Sequence, residues 1–533
     1  MSLKLSKTAM IFVSFAVLLA MGLSGCDLPF GGNANNQQPS QPTQTSTSNI
    51  IVQENALPGT TQWMIPQGQE ATTQIQAYAS ATSVQSGDTL VFYVSTEQEG
   101  TPYTIDIFRL GWYGGKGGRL MTSITNQVGF AQGYYNNHTH QLVGCTSCSL
   151  DPATDLVEAN WLPSSNLTIP PDWVTGVYLA KFTDESGFQT YAPFDVRGNA
   201  HSAYIAVTSD TTYAAYNYWG GFSLYDADDA EGIANLKRAV KVSFNRPYEQ
   251  GYGSGHVLIF EADAIHWLER MGYDLSYISS IDLHENPAQL VHHRAYISLG
   301  HDEYWTKEMR NGVERARNQG VGLAFLGANA SYWQMRFEPD KVGVPDRTIV
   351  SYKVLTEHND LKLDPFYGKD NSRVTTQWRD PFLKRPENAL IGIMYSSLTQ
   401  QLPGFAWQLN PTAKSPLLDG TDLQPGKQYG CGLVGYEWDR VFDNGATPPG
   451  LQVLGMSPSV DSQHKPDVSN TTYYIASSGA MVFATGSIFW AASLDGYRYE
   501  LYKSCPNVPT VVPGMQKLMA HVMDALIVHH PSK

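Results

Sequence analysis

Charge is scarce in this sequence. Asp, Glu, Lys and Arg make up only 16% of its 533 residues, against roughly 25% in an average soluble chain. Disorder needs many charges and few aromatics; with Phe, Trp and Tyr at 12%, it is excluded for most of the chain. Positive charge is scarcer still, with 35 Lys and Arg facing 49 Asp and Glu. A chain without a basic footprint is not built to grip a phosphate backbone, so nucleic acid is excluded as a partner. Internal repeats are absent, and collagen, coiled coil and polytopic membrane protein are excluded with them. No G-x-S-x-G elbow occurs, which leaves a serine hydrolase without support. Tyrosine and tryptophan are plentiful, at 30 and 12, and the length predicts about two or three domains.

The one long apolar run lies at the start. Lys4 and Lys7 precede an apolar stretch from Ala9 to Leu23, followed by Ser24-Gly25-Cys26. This reads as a signal peptide over residues 1–25. The run is shorter than the roughly 20 residues a membrane span needs. The Leu-Ser-Gly-Cys ending resembles the bacterial lipobox. That resemblance implies cleavage before Cys26, a lipid on its sulfur, export, and anchoring to the membrane on the extracytoplasmic side. Residues 26–52, rich in Gly, Asn, Gln, Pro, Ser and Thr, read as a flexible tether.

Four cysteines remain, Cys145, Cys148, Cys431 and Cys505. Four in an oxidising compartment allow three pairings; Cys145–Cys148 and Cys431–Cys505 are favoured. A four-thiolate zinc site would want a second C-x-x-C, which is missing.

Residues 53–198 alternate in short apolar runs (Ile75–Tyr78, Thr89–Val94, Tyr103–Leu110, Gly176–Phe182) separated by Gly, Asp and Ser turns, and predict an all-β sandwich. Residues 199–533 change character. Strands are expected at Ala203–Thr208, Tyr273–Ile278, Arg294–Leu299 and Val321–Leu326, and helices at Val257–Met271, Lys307–Asn318 and Met515–Ile527. Strands alternating with helices predict a parallel-sheet α/β domain of flavodoxin or glutamine-amidotransferase type. Residues 340–430 read as a β-rich insertion.

Ligands in open α/β sheets bind beyond the carboxyl ends of the strands. The segments there are Thr211–Gly221, Gly300–Trp305 and Gly327–Trp333, with Val434–Asp439 offering a later carboxylate. His301 and Glu303 are two apart, so an extended segment turns both to one side, where a metal or substrate could meet them. Imidazole with carboxylate suits zinc or iron. Alternatively, Asp302 and Glu303 cap the helix starting near Thr306. His292-His293 reads as a solvated turn. Gly111–Arg119 resembles a phosphate loop, but Lys116 is followed by Gly117 rather than Ser or Thr; it reads as a glycine turn.

Five motifs in order, Arg109–Arg119, Ala215–Gly221, Ser243–Tyr248, Gly300–Trp305 and Gly435–Asp439, resemble the large subunit of N,N-dimethylformamidase and its C-terminal-domain relatives. The resemblance implies a mononuclear iron, with zinc second, held by Glu303, Tyr216 and Tyr248, with Tyr225 as a fallback. It further implies that His301, Asn329 and Glu437 complete a site for metal-assisted hydrolysis of a small amide. The partners expected are that amide, the membrane through the lipid on Cys26, and a second copy of the chain. Two other readings stand beside it. One is a non-catalytic surface protein whose aromatic crevice (Tyr213, Tyr216, Trp219, Tyr304, Trp305, Trp333) holds a glycan or peptide. The other is a glycosidase using Glu303 and Glu437 as paired carboxylates.

Overall fold

The computed structural model describes residues 49–198, 201–225, 237–496 and 511–528. The signal peptide, Cys26, most of the expected tether and Cys505 lie outside them. The described part opens on a helix, Ile50–Asn55, inside the span expected as tether; the Asn49 side chain caps it by accepting from the backbone of Ile51 and Val52.

The N-terminal region is strand-rich. One sheet has three strands in the order Ile75–Ala79, Thr89–Thr96, Ser165–Thr168. A second has five, in the order Ser83–Val84, Gln189–Val196, Gly176–Asp184, Pro102–Leu110, Gly118–Val128. Alternation explains their packing. Tyr103, Ile105 and Ile107 point into one core with Phe92, Val94, Phe182 and Phe194, so both sheets share it. Phe108 and Leu110, at the end of the same strand, belong instead to the large core of the following region. The glycine-rich stretch after Leu110 is a turn, with a short 3₁₀ segment at Tyr113–Gly115. Cys145 and Cys148 form a disulfide. Cys431 is disulfide-bonded as well.

The second region mixes helices with a seven-stranded sheet. Its order is Leu275–Ser279, Tyr204–Thr208, Ala295–Ser298, Gly322–Phe325, Met481–Ala484, Pro466–Ile475, Gln452–Val460. The first five strands run parallel. The last two are antiparallel, which corrects the purely parallel expectation. Both strands are long and less apolar; Gln452–Val460, at the edge, alternates buried with exposed residues, while Pro466–Ile475, paired on both sides, is buried through its middle. Helix Lys307–Asn318 forms as expected, but its cap is Thr306, whose hydroxyl accepts from Met309 N at 3.2 Å. The expected helix from Val257 divides into a π-helical turn, Val257–Glu261, and an α-helix, Ala262–Arg270. Within residues 340–430, expected as a β-rich insertion, Thr348–Val350, Met394–Leu398 and Phe405–Gln408 are strands, and residues 351–393 carry short 3₁₀ turns and a four-residue helix. His293 is buried against Ser202, its Nδ1 2.8 Å from the Ser202 carbonyl oxygen, so it is not the solvated turn the sequence suggested. Among the described residues no helix is long and apolar enough to cross a membrane.

Candidate functional site

Three neighbouring parallel strands deliver the site from their carboxyl ends. Beyond Thr208, helix Asp210–Tyr216 carries Tyr216. Beyond Ser298 comes Gly300-His301-Asp302-Glu303, and beyond Phe325 comes Asn329. Close approach of the last two ends requires glycine: a Cβ on Gly327 would collide with the Gly300 carbonyl oxygen. Gly327→Ala is therefore expected to destabilise by about 1–3 kcal/mol, as overpacking does, measurable by urea denaturation. Glu437 arrives from elsewhere. Its strand, Glu437–Arg440, lies against the loop following Met481–Ala484, with Trp438 bridged to Ser487.

These elements bring His301, Glu303, Glu437 and Asn329 together, each at most 1% exposed. His301 Nε2 lies 3.3 Å from Glu437 Oε2 and 3.6 Å from Glu303 Oε2. Asn329 Nδ2 lies 3.3 Å from the same Glu437 oxygen. Buried carboxylates hold the backbone behind them. Asp302 accepts from Ser298 Oγ at 2.8 Å, and Asp439 accepts from Asn329 N at 2.8 Å. Asn329 itself adopts a left-handed conformation, φ +57°, which asparagine tolerates better than most residues. With Thr306 as the helix cap, Asp302 and Glu303 are released for these roles.

Aromatic rings enclose the cluster. Tyr216 stands 5.2 Å from the His301 ring and 4.3 Å from Tyr225. The Tyr225 hydroxyl donates to Glu303 Oε2 at 2.9 Å and accepts from the Tyr304 hydroxyl at 2.7 Å. Phe260, on the π-helical turn, meets His301 edge-on at 5.8 Å, and His256 stacks parallel to it at 5.9 Å. Lys353 Nζ sits 3.5 Å from the Tyr225 ring centre. Sequence reasoning missed His256, Phe260 and Lys353, and ranked Tyr225 below Tyr248. His256 had a visible signal: it closes the glycine-rich run Gly251–Gly255. Lys353 had none.

Tyr248 stands apart. Its ring packs on Tyr213 at 6.1 Å, and it lines a cleft on the side of the N-terminal sheets. The expected ligand set of Glu303, Tyr216 and Tyr248 is corrected accordingly. Among the described residues, no group of three or more His, Cys, Asp or Glu side chains could hold a metal ion. The residues present do not fit the expected iron, and they do not fit zinc in its place. Of the expected crevice rings, Tyr216 and Tyr304 belong to this cluster. Trp219 packs with Tyr135 and Trp161 in a separate core.

Burial sets the electrostatics. It lowers the imidazole pKa of His301, but the Glu437 carboxylate, then Glu303 and Asp302, more than offset it, so the value lies above the usual 6.5. Burial raises the Glu303 carboxyl, with His301 opposing. His256, pulled down by burial and then by His301, is neutral. Burial also lifts the supporting carboxyls: Asp302 to about 6, Asp439 to about 7, Glu261 to about 8, and Asp210 to about 6. Each binds its proton more tightly in the folded chain than in the unfolded one, where carboxyls titrate near 4. Their contribution is complete below that value and is lost as pH rises through the folded ones. Calorimetry is expected to show this contribution to Tm falling between about pH 5 and pH 8, with Glu261→Gln flattening the upper part of the slope.

The family described as N,N-dimethylformamidase beta subunit-like, C-terminal, matches residues 104–507. The N,N-dimethylformamidase beta subunit of Alcaligenes sp is 23% identical over 410 residues, covering 65% of this chain and 53% of that protein. That of Paracoccus aminophilus gives the same figures. The chain spans about half the length of these relatives.

Proposed function

This chain belongs to the N,N-dimethylformamidase beta subunit-like family, and we propose that it binds an amide-bearing ligand, a short peptide or small amide, in the aromatic crevice around His301. One observation carries the reading. The Tyr216 hydroxyl, Glu303 Oε1, Asn329 Oδ1 and Nδ1 of His301 are buried without a hydrogen-bond partner among the described residues. Each such group left unpaired costs about 1–3 kcal/mol, and native structures rarely collect several in one place. An amide supplies what they want: a carbonyl oxygen to accept from Tyr216, N–H groups for Glu303 and Asn329, and a flat face for the rings of Tyr216 and Phe260.

The experiment is a titration of intrinsic fluorescence with N,N-dimethylformamide, a tripeptide and a chito-oligosaccharide, with released dimethylamine assayed in the formamide samples. Saturable binding of an amide without release, weakened by Glu303→Gln, is the expected result. Binding of the sugar alone, or binding indifferent to that substitution, would sink the proposal.

A second reading is favoured by the contact of Glu437 with His301 and by the family itself, which supports a hydrolase acting on an amide-type C–N bond. In it Glu437 takes a proton from water, while Asn329 and charged His301 face the oxygen that gains charge. Dimethylamine release that disappears in Glu437→Gln would establish it over simple binding.

Export and lipid attachment at Cys26 belong to the same proposal, supported by the basic start, the apolar run and the Leu-Ser-Gly-Cys ending. Metabolic labelling with palmitate is expected to mark the chain and to miss Cys26→Ser. The shared core of the two N-terminal sheets supports reading residues 53–198 as a β-sandwich domain.

A further inference from the structure

The cleft that Tyr248 lines is a separate place, between the N-terminal sheets and the α/β region. We infer that it is a binding site for a small organic carboxylate, gripped by Arg246 and Arg347. Its walls are Ala77, Ala79, Ala81, Ala192 and Pro193 from the N-terminal sheets, and Phe244, Arg246, Tyr248 and Arg347 from the other region. The two arginines are 1% and 7% exposed.

Burying a guanidinium ordinarily calls for a carboxylate beside it. Among the described residues neither arginine has one within ion-pair distance. The nearest acids are engaged elsewhere: Glu158 accepts from Ser243 Oγ at 3.2 Å, and Asp340 accepts from Asn245 Nδ2 at 2.9 Å. Backbone carbonyls serve instead. Arg246 donates to Trp219 O, Phe222 O and Asn217 O at 2.6, 2.9 and 2.8 Å. Arg347 donates to Ala79 O and Phe244 O at 3.2 and 3.3 Å, and to Asn245 Oδ1 at 2.9 Å. Carbonyl dipoles orient the two cations, and Glu158 and Asp340 act on them only from beyond ion-pair distance.

Donor capacity is also left over. Arg246 Nε is buried without a partner, and among the described residues Arg347 Nη1 makes no hydrogen bond. Two guanidinium groups with spare N–H donors in one cleft form the fork that carboxylates fit. Tyr78 and Thr82 complete the lining. The small apolar walls choose among anions: the methyl groups of four alanines suit a short hydrocarbon body and offer nothing further to a fully polar oxyanion. A monocarboxylate with a short aliphatic tail therefore matches both halves of the cleft. The inference goes beyond the amide site and uses none of its residues.

The test titrates the full chain with sodium propionate at fixed ionic strength, following Tm and heat of binding, with sodium chloride and inorganic phosphate as the other arms. Saturable stabilisation by propionate, exceeding both other salts, is expected. Arg347→Gln should abolish it. Because losing an arginine can disturb folding, Ala81→Phe, which fills the cleft and keeps both cations, should abolish it too, while amide binding at His301 stays unchanged. Stabilisation by chloride equal to that by propionate, preference for phosphate, or propionate binding that survives both variants would overturn the inference.

Discussion

Glu269→Ala is expected to destabilise the protein by about 3–5 kcal/mol, the range for removing one partner of a buried ion pair. Glu269 and Arg109 are both completely buried, and their contact joins the N-terminal sheets to helix Ala262–Arg270. Arg109 Nη1 and Nη2 reach the two Glu269 oxygens at 2.8 and 2.7 Å. Asn55 adds a third donor at 2.8 Å, tying the first helix to the same carboxylate. Burial alone would lower the arginine's pKa; Glu269 reverses the effect and holds it well above the ordinary guanidinium value. Without Glu269 the guanidinium stays charged and keeps only the carbonyls of Thr175 and Leu110 and the Tyr113 hydroxyl as acceptors. Urea denaturation with the linear extrapolation measures the loss. A loss under about 1 kcal/mol, the size of an exposed pair, would show that the seam between the two regions does not depend on this contact. Glu269→Gln, which keeps shape and some hydrogen bonding, should fall between the variant and the wild type.

The same pair shows where sequence reading stops. Arg109 stood at the head of the glycine turn and Glu269 within an expected helix, 160 residues apart, and no local pattern relates them. Strands and helices with strong alternation were legible: Pro102–Leu110, Lys307–Asn318 and four of the five parallel strands lie within a few residues of where apolar periodicity puts them, while Met481–Ala484 was not foreseen. The antiparallel margin of the main sheet was not, because polar strands near the edge such as Pro466–Ile475 resemble loops in composition. Strand ends located His301, Glu303 and Asn329, since topology alone places those residues in the crevice. Tyr225 and Tyr248 were harder to rank, because a tyrosine in a loop carries no sign of the direction its ring takes. The structure separates them by what they touch: Glu303 for Tyr225, the arginine-lined cleft for Tyr248.

At the site, the largest effect is expected from Glu437→Gln. The charge of His301 depends on a balance in which burial is the greatest influence and Glu437 the greatest opposing one. Exchanging the carboxylate for an amide of the same shape removes the largest opposing charge, leaving Glu303 and Asp302 alone against burial. The His301 midpoint, followed by NMR of its ring protons, should drop from above the ordinary imidazole value to below it. The ring is then neutral at neutral pH, and Asn329 Nδ2 faces a neutral acceptor. Truncating a buried, hydrogen-bonded charge costs about 2–5 kcal/mol in affinity. A shape-conserving exchange belongs at the low end, so amide affinity should fall about 30-fold. Glu303→Gln should lower the midpoint less, because Glu303 stands farther from Nε2, at 3.6 Å against 3.3 Å. The order of the two shifts distinguishes a site tuned by Glu437 from one in which the imidazole is only filler. If both variants leave the midpoint where it was, His301 is not governed by these carboxylates, and neither binding nor hydrolysis can be assigned to their contact.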